Sequence, residues 1–219
     1  MTEAYGNELT QYIRETEPLQ AALFRMLEEE AAAEHIPILR YASVPFLRTL
    51  ITMKKPRRVL EVGTAIGYSA LVMLEKMPAD GVLDTLELRP DMAQRAERNL
   101  RDAGYADRAK VYTGDAAELL PELSEPYDFI FLDAAKGQYV RWLPDLLRLL
   151  KPEGILLADN ILQEGTFLLP RSEIPHRDRT IYDRLHSFME ALYACPDLTT
   201  GLLNIGDGMS LSVKGELHE

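Results

Sequence analysis

Polar residues that could do chemistry lie directly after two apolar runs of this chain. The run DFIFL is followed by Asp133, with Lys136 three positions later, and the run ILLA is followed by Asp159 and Asn160. Carboxylate and amide oxygens are ligands that a hard divalent cation such as Mg²⁺ prefers, and such sites keep positions open for water or substrate. These three oxygen donors predict a cation site. The alternative is that Asp133 caps a helix and that Asp159 and Asn160 form a turn.

The elements that must position these residues are visible in the texture of the chain. After Pro56, short β-type runs alternate with helical patterns, and the β-type runs are RVLEVG, VLDTLE, AKVYTG, YDFIFLD and GILLADN. Such alternation predicts a parallel sheet covered by helices on both faces. The last runs, TTGLLNIG and MSLSVKG, are separated by Asp-Gly and predict a closing antiparallel hairpin. Ligands bind such sheets at the carboxyl ends of the strands, which is where the three oxygen donors fall.

The segment before this sheet has a different pattern. Residues 7–53 are rich in Ala, Leu and Glu with apolar residues at helical spacing, which predicts N-terminal helices. We therefore expect one doubly wound, Rossmann-like α/β domain over residues 1–219. In this interpretation residues 1–53 form a helical extension and residues 57–219 form the α/β core.

Composition excludes several classes of protein. Hydrophobic residues make up 47% of the chain, which is typical of a globular protein, and a single cysteine excludes an internal disulfide. The polar, acidic N-terminus lacks the features of a signal peptide, and no apolar run reaches the roughly 18 residues of a membrane span. We therefore expect a cytoplasmic protein. The net charge of −11 does not steer the chain to nucleic acid, so RNA contact would require a local basic patch.

The first predicted strand ends in LEVGTAIGYSA, which contains Glu61, Gly63, Ala65 and Gly67. Small residues at this point let the backbone approach a ligand at the N-terminus of the next helix. The glycine spacing does not match the dinucleotide pattern G-x-G-x-x-G, and no Gly-Lys-Ser/Thr of a P-loop follows. Taken alone, the glycine turn is equally consistent with a tight connection between strand and helix.

The next two strand ends carry one acid each. Glu87 ends the second strand, where a carboxylate can accept hydrogen bonds from both hydroxyls of a ribose, although it could also be a solvated acid. Asp115 follows the third strand, where it could cap the next helix or accept from an adenine amino group. The three strand ends together predict a nucleoside site without a phosphate grip. This pattern favours S-adenosylmethionine over NAD or ATP.

The motifs LEVGTAIGYSA, DAAKGQY and ADN resemble those of the divalent-metal-dependent O-methyltransferases of the catechol and caffeoyl-CoA type, and the resemblance covers nearly the whole chain. It implies that Asp133, Asp159 and Asn160 bind Mg²⁺ or another hard divalent cation, and that Lys136 and Asp133 act in catalysis. The residues that it implies for S-adenosylmethionine binding are Ile38, Glu61, Gly63, Tyr68, Ser69, Glu87, Asp115, Ala116 and Asp133. One departure is Ala135, because the animal catechol enzymes carry a tryptophan immediately before the lysine.

Further motifs, HIPI, PHRDRTI and IGDGMSLSVK, resemble those of the bacterial tRNA 5-hydroxyuridine methyltransferases. This resemblance implies methylation of 5-hydroxyuridine to 5-methoxyuridine at the wobble position, with the tRNA anticodon loop as partner. A catechol and 5-hydroxyuridine both place a second oxygen beside the hydroxyl, so the cation motif fits both, and a small catechol-like phenol stays open as the alternative substrate. A non-catalytic S-adenosylmethionine-binding module is a third hypothesis. The complete set of Asp133, Lys136, Asp159 and Asn160 argues against it.

The segment after Asp159 and Asn160 is the candidate RNA contact, because RNA binding requires basic side chains for the phosphates. The candidate residues are Arg171, Arg177, Arg179 and Arg184. The acids interleaved with them are Glu173, Asp178 and Asp183, so a solvated loop is the alternative. A second basic cluster, KKPRR, lies at the amino end of its predicted strand, away from the site.

The last expectation concerns assembly. The N-terminal helices and the 161–180 segment contain more apolar residues than one small sheet requires, which predicts a two-fold homodimer. The apolar residues are Leu19, Leu23, Phe24, Phe46, Leu47, Ile161, Leu162, Phe167 and Leu168.

Overall fold

The structure is a computed structural model that describes residues 8, 10–13, 15, 16 and 22–216. The strands are β1 (Arg58–Val62), β2 (Val82–Glu87), β3 (Ala109–Thr113), β4 (Tyr127–Leu132), β5 (Leu150–Ala158), β6 (Leu198–Leu203) and β7 (Met209–Lys214). The helices named here are α1 (Ala22–Glu34), α2 (Val44–Lys54), α3 (Tyr68–Lys76), α4 (Pro90–Asp102), α5 (Ala116–Glu122), α6 (Tyr139–Leu149) and α7 (Arg179–Ala194).

The seven strands form one sheet in the order β3-β2-β1-β4-β5-β7-β6. The neighbours from β3 to β5 are parallel, whereas β7 runs antiparallel to both β5 and β6. This arrangement confirms the predicted Rossmann-like sheet with a closing hairpin. The strand order reverses its direction of growth between β1 and β4, and ligands of open α/β sheets bind at such a point.

Helices cover the sheet on both faces, and each face has its own core. One core contains buried residues of α1 to α4, among them Leu27, Leu47 and Leu71. The other contains buried residues of α5 to α7, among them Leu146 and Phe188. The strands supply both cores because successive side chains point to opposite faces. Within the described residues, no helix combines the length and the apolar character needed to cross a membrane.

Some apolar residues expected at a dimer interface are covered within the single chain. Phe24, Leu47 and Ile161 are buried in the two cores, which corrects the expectation that the sheet leaves them in excess. Leu168 is 69% exposed, and Leu19 lies outside the described residues. The homodimer therefore stays a prediction that depends on a smaller apolar surface than the sequence indicated.

Candidate active site

At the end of β1, Gly63 packs against the backbone that follows β4, and a larger residue at this position would force that backbone to move. Asp133 N donates to the Val62 carbonyl oxygen at 3.0 Å, which places the two strand ends side by side. Gly63 has a φ of +96°, in the left-handed region, and a Cβ there would overlap the carbonyl oxygen of Asp133. The structure therefore shows a close approach of the Gly63 backbone to the neighbouring strand end, and its approach to a ligand stays a prediction.

Glu61 stabilises the same turn through hydrogen bonds to its buried carboxylate. Its carboxylate is fully buried and accepts hydrogen bonds from the hydroxyls of Ser69 at 2.5 Å, Thr85 at 2.6 Å and Thr64 at 2.8 Å. Burial raises the pKa of Glu61 to about 7, although the three hydroxyls oppose that shift. Glu61 is absent from the cavity wall. Its assignment as a direct cofactor contact stays a prediction. The hydrogen bonds that the structure shows give Glu61 a positioning role through Ser69 and Thr64, which both line the cavity.

A cavity of about 510 Å³ lies at the carboxyl ends of β1 to β4 and is bounded on one side by residues 36–39. Its wall contains most of the predicted site residues, which are Ile38, Gly63, Tyr68, Ser69, Glu87, Asp115, Ala116, Asp133, Lys136 and Asn160. The fold therefore brings residues from motifs that are distant in sequence to the wall of one cavity. The cavity has the size that small-molecule sites usually have.

Backbone amides orient Glu87 and Asp115, the two acids that are predicted to bind the nucleoside. Glu87 accepts from Ala65 N and from Arg89 N, each at 2.9 Å, and each oxygen keeps a lone pair for a further donor. Asp115 caps α5, because its Oδ1 accepts from Ala117 N at 2.8 Å. The two predicted roles of Asp115, helix cap and adenine contact, are therefore compatible. Asp115 lines the cavity, and its second carboxylate oxygen can accept from a ligand.

The predicted cation ligands meet at the ends of β4 and β5. Leu132 pairs with Ala158, and Asp159 N donates to the Leu132 carbonyl oxygen at 3.0 Å, so Asp133 and Asp159 leave neighbouring strands at one level. Adjacent strands lie about 4.8 Å apart. Asp159 is fully buried, its Oδ1 accepts from Asn160 N at 2.7 Å, and its Oδ2 has no hydrogen-bond partner among the described residues.

Burial and like charge destabilise the ionised forms of this pair of carboxyls, and a nearby positive charge would stabilise them. Burial and the charge of Asp133 raise the pKa of Asp159 to about 7, and the charge of Asp207 adds to the shift. Burial raises the pKa of Asp133 to about 6, whereas Lys136 opposes the shift. A buried carboxylate with an unpaired oxygen is costly unless a donor or a cation satisfies it. No group of three or more His, Cys, Asp or Glu side chains that could hold a metal occurs in the described ranges, so a cation here would rest on two carboxylates and the Asn160 amide.

Lys136 begins a short 3-10 turn, Lys136–Gln138, between Asp133 and α6. The turn is anchored from α7, because Arg184 Nη1 donates to the Gly137 carbonyl oxygen at 2.9 Å. It is also anchored to the segment that follows β4, because the hydroxyl of the buried Tyr139 accepts from Ala134 N at 3.1 Å. Lys136 is therefore presented to the cavity by a segment that is fixed at both ends.

The four candidate RNA-contact arginines do not form one free basic patch. Arg171 makes a two-pronged ion pair with Asp183, at 2.6 and 2.7 Å. Arg179 Nε donates to the Ile174 carbonyl oxygen at 3.0 Å, and Arg184 holds the turn after Lys136. Arg177 differs from these three because its side chain is 87% exposed, and its one ion pair within the described part of the chain is a 3.4 Å contact with Asp178.

The sequence did not identify Trp142 as a site residue, but it lies in the cavity wall with Ala135 beside the same space. Trp142 is the sole tryptophan of the chain, is 6% exposed, and its Nε1 has no partner among the described residues. An apolar residue in an amphipathic helix is usually assigned to the core, so the local pattern gave no signal. Leu88, Met92 and Gln138 also line the cavity and were not predicted.

Comparison with known proteins places this geometry in a family. A family model described as O-methyltransferase matches residues 15–215. A catechol O-methyltransferase from Niastella koreensis is 37% identical over 134 residues, which are 59% of this chain and 61% of that protein. A caffeoyl-CoA O-methyltransferase from Stellaria longipes is 28% identical over 94% of this chain and 89% of that protein. The crystal structure of an O-methyltransferase from Bacillus cereus in complex with SAH is 25% identical, covers 94% of this chain and 97% of that one, and superposes with a TM-score of 0.85.

Proposed function

The chain belongs to the S-adenosylmethionine-dependent O-methyltransferases of the catechol and caffeoyl-CoA type, and we propose that its methyl transfer depends on a divalent cation. The proposed ligands are Asp133, Asp159 and Asn160, and Mg²⁺ is the proposed cation. The observation that carries this proposal is the buried carboxylate of Asp159 beside the half-buried carboxylate of Asp133 at the neighbouring strand end. One of their oxygens, Asp159 Oδ2, has no hydrogen-bond partner among the described residues.

The proposed cofactor position follows the cavity. Glu87 would accept from the ribose hydroxyls, because it lines the cavity and backbone amides hold its two oxygens in place. Asp115 would accept from the adenine amino group, and Ser69 would accept from the ammonium group of the methionine part while its hydroxyl hydrogen is held by Glu61. Trp142 would supply apolar contact to the cofactor from α6 in a chain that has Ala135 before its lysine.

Methyl transfer to oxygen is an in-line displacement from a sulfonium, so the chain must align donor and acceptor and make the hydroxyl more nucleophilic. A bound Mg²⁺ would supply Lewis acidity, which lowers the pKa of a coordinated hydroxyl. Lys136 would take the hydroxyl proton on Nζ or stabilise the oxyanion, because it projects from an anchored turn in the cavity wall. The apolar cavity walls would keep water from the reacting atoms.

We propose 5-hydroxyuridine at the tRNA wobble position as the substrate. The support is the resemblance of HIPI, PHRDRTI and IGDGMSLSVK to the corresponding tRNA methyltransferase motifs, together with the chemistry of the base. Its 5-hydroxyl and 4-carbonyl oxygens are neighbours that can chelate one cation. Arg177 is the proposed phosphate contact, because it is highly exposed and lies just before α7.

A small catechol-like phenol is the second candidate. The relatives named for catechol and caffeoyl-CoA support it, and so does the engagement of Arg171, Arg179 and Arg184 in contacts within the chain. Those three arginines would have to leave their partners before they could bind phosphates. A phenol requires no such rearrangement.

One incubation series separates these substrates. The protein is supplied with labelled S-adenosylmethionine, Mg²⁺ and either tRNA carrying 5-hydroxyuridine, catechol or caffeoyl-CoA. We expect label in the tRNA. Label in the phenols alone would reject the tRNA proposal, and label in none of them, with SAH still bound, would favour a non-catalytic binding module.

Two charge variants refine the test of the RNA contact. Arg177→Glu should weaken tRNA binding and reduce the salt slope by about one phosphate contact. Arg57→Glu is the matched control, because Arg57 is 75% exposed and lies at the amino end of β1, away from the cavity. Equal tRNA binding by both variants across a salt series would remove Arg177 from the contact.

A further inference from the structure

The turn between β6 and β7 holds the loop that carries Asn160. We call residues 204–208 the hairpin turn and residues 160–165 the cation loop. Asp207 Oδ1 accepts from Glu164 N at 2.7 Å, and the Asp207 carbonyl oxygen accepts from Leu162 N at 2.9 Å. The Asp207 side chain is only 8% exposed, so its carboxylate is largely shielded from water.

The backbone conformation of the cation loop depends on contacts with other segments of the chain. Asn160, Gln163 and Glu164 have φ values of 59°, 46° and 55°, in the left-handed region that non-glycine residues rarely adopt. Each such residue is strained, and its conformation persists only where the surrounding structure determines it. Gly208 contributes to those surroundings, because a Cβ at this position would overlap the side chain of Leu162.

The hairpin turn also contacts the segment that bounds the cofactor cavity. Residues 36–39, here called the cofactor segment, line that cavity and are followed directly by Arg40. Arg40 Nη2 lies 3.6 Å from Asp207 Oδ2 and 3.6 Å from Glu164 Oε1. A second contact lies close by, because Gly206 has a φ of +60° and a Cβ on it would overlap Ser43 Oγ.

We propose that Asp207 and Arg40 are positioning residues that join the cofactor segment to the cation loop, so that cofactor binding orders the loop carrying Asn160. This inference rests on the proposed function, in which that loop supplies a cation ligand. A ligand that orders one segment reduces the entropy that a second ligand must lose at a joined segment. The effect is reciprocal, so a cation bound at the loop would tighten cofactor binding by the same factor.

Asp128 provides a matched control for a carboxylate with a purely structural role. It accepts from Arg57 N at 2.9 Å and Arg58 N at 2.8 Å and pairs with Lys151 at 2.7 Å. These contacts resemble those of Asp207 but lie at the amino ends of the strands, away from the cavity. Changing Asp128 should lower stability without a specific effect on either ligand.

The test measures hydrogen exchange of the cation loop in the full chain, with and without SAH, and Mn²⁺ binding by electron paramagnetic resonance. In Asp207→Ala, the Glu164 amide should lose protection, and Mn²⁺ affinity should fall about tenfold, as is usual when an outer-shell partner is removed. Asp207→Asn keeps an acceptor oxygen and should lie between Asp207→Ala and the wild type. In Arg40→Met, SAH should still bind but should no longer slow exchange in the cation loop, and Asp128→Asn should behave as the wild type.

Two results would overturn the proposal. One is unchanged Glu164 protection in Asp207→Ala, and the other is equal SAH-induced slowing of loop exchange in Arg40→Met and the wild type. Circular dichroism of each variant separates these outcomes from misfolding. Failure of wild-type Mn²⁺ binding would instead reject the cation site of the proposed function, while the exchange measurements would still decide whether the two residues join the segments.

Discussion

Replacing Glu87 should weaken cofactor binding by an amount that the structure allows us to estimate. Glu87 is half-buried at the end of β2, lines the cavity and accepts from two backbone amides. Hydrogen bonds to a charged group contribute about 1.5–3 kcal/mol, and partial exposure to solvent places Glu87 in the lower half of that range. A loss of about 2 kcal/mol corresponds to roughly a 30-fold rise in the dissociation constant of SAH for Glu87→Ala.

The sole tryptophan makes the measurement direct, because Trp142 lies in the wall of the same cavity. Titration of SAH against intrinsic fluorescence, checked by calorimetry, gives the dissociation constant. Glu87→Gln should show a smaller rise, since its amide keeps one acceptor oxygen. Asp91→Ala is the control, because Asp91 is exposed, pairs with Arg89 and is absent from the cavity wall.

The outcome that would refute the reasoning is also specific. An unchanged dissociation constant for Glu87→Ala, with the fold intact by circular dichroism, would remove Glu87 from the cofactor site. An equal loss in Asp91→Ala would show that the effect comes from the charge of the region and not from the carboxylate at the strand end.

Three further perturbations test separate parts of the account. The pKa of Glu61 is about 7 in the folded chain and 4.5 ordinarily. Between these pH values the folded chain binds more protons than the unfolded chain, so the free energy of unfolding falls as pH rises from 4.5 to about 7. Urea unfolding of Glu61→Gln should therefore show a smaller loss of stability between pH 5 and 8 than the wild type, by up to about 3 kcal/mol, and an equal loss in both proteins would be inconsistent with the buried carboxyl. Lys136→Met should lower turnover by about 10²–10⁴-fold and leave SAH affinity unchanged, whereas near-normal turnover would exclude a proton-transfer role. Gly63→Ala should destabilise the chain more than Gly104→Ala, because both have positive φ but only the first Cβ meets other atoms, and equal melting temperatures would contradict the close approach at Asp133.

The strands and most of the cavity wall could be predicted because their signals are local. Each β-type run is bounded by turn residues, and an acid one residue past a strand end has only one edge of the sheet to occupy. Asp133 and Asp159 are of this kind, and Glu87 is the last residue of its strand. The burial of Glu61 follows from its position within β1. The three hydroxyls that donate to its carboxylate come from separate segments and have no such local signal.

The remaining features depend on contacts between segments that are distant in sequence. Trp142 has the spacing of a core residue, and only the packing of α6 against the strand ends brings it to the cavity. Arg171 and Arg184 are candidate RNA contacts by sequence, but in the structure Asp183 and the Gly137 carbonyl oxygen are their partners. The link between Arg40 and Asp207 spans most of the chain and has no local pattern that could have indicated it.

The most direct test of the central claim is methyl transfer measured against the concentration of free Mg²⁺. We predict that excess chelator abolishes transfer from labelled S-adenosylmethionine and that added Mg²⁺ restores it. Asp159→Asn should not be restored at the Mg²⁺ concentrations that serve the wild type, while SAH still binds and the circular dichroism spectrum is unchanged. Full turnover by the wild type in excess chelator would contradict the claim that the carboxylates at the ends of β4 and β5 hold a cation required for the reaction.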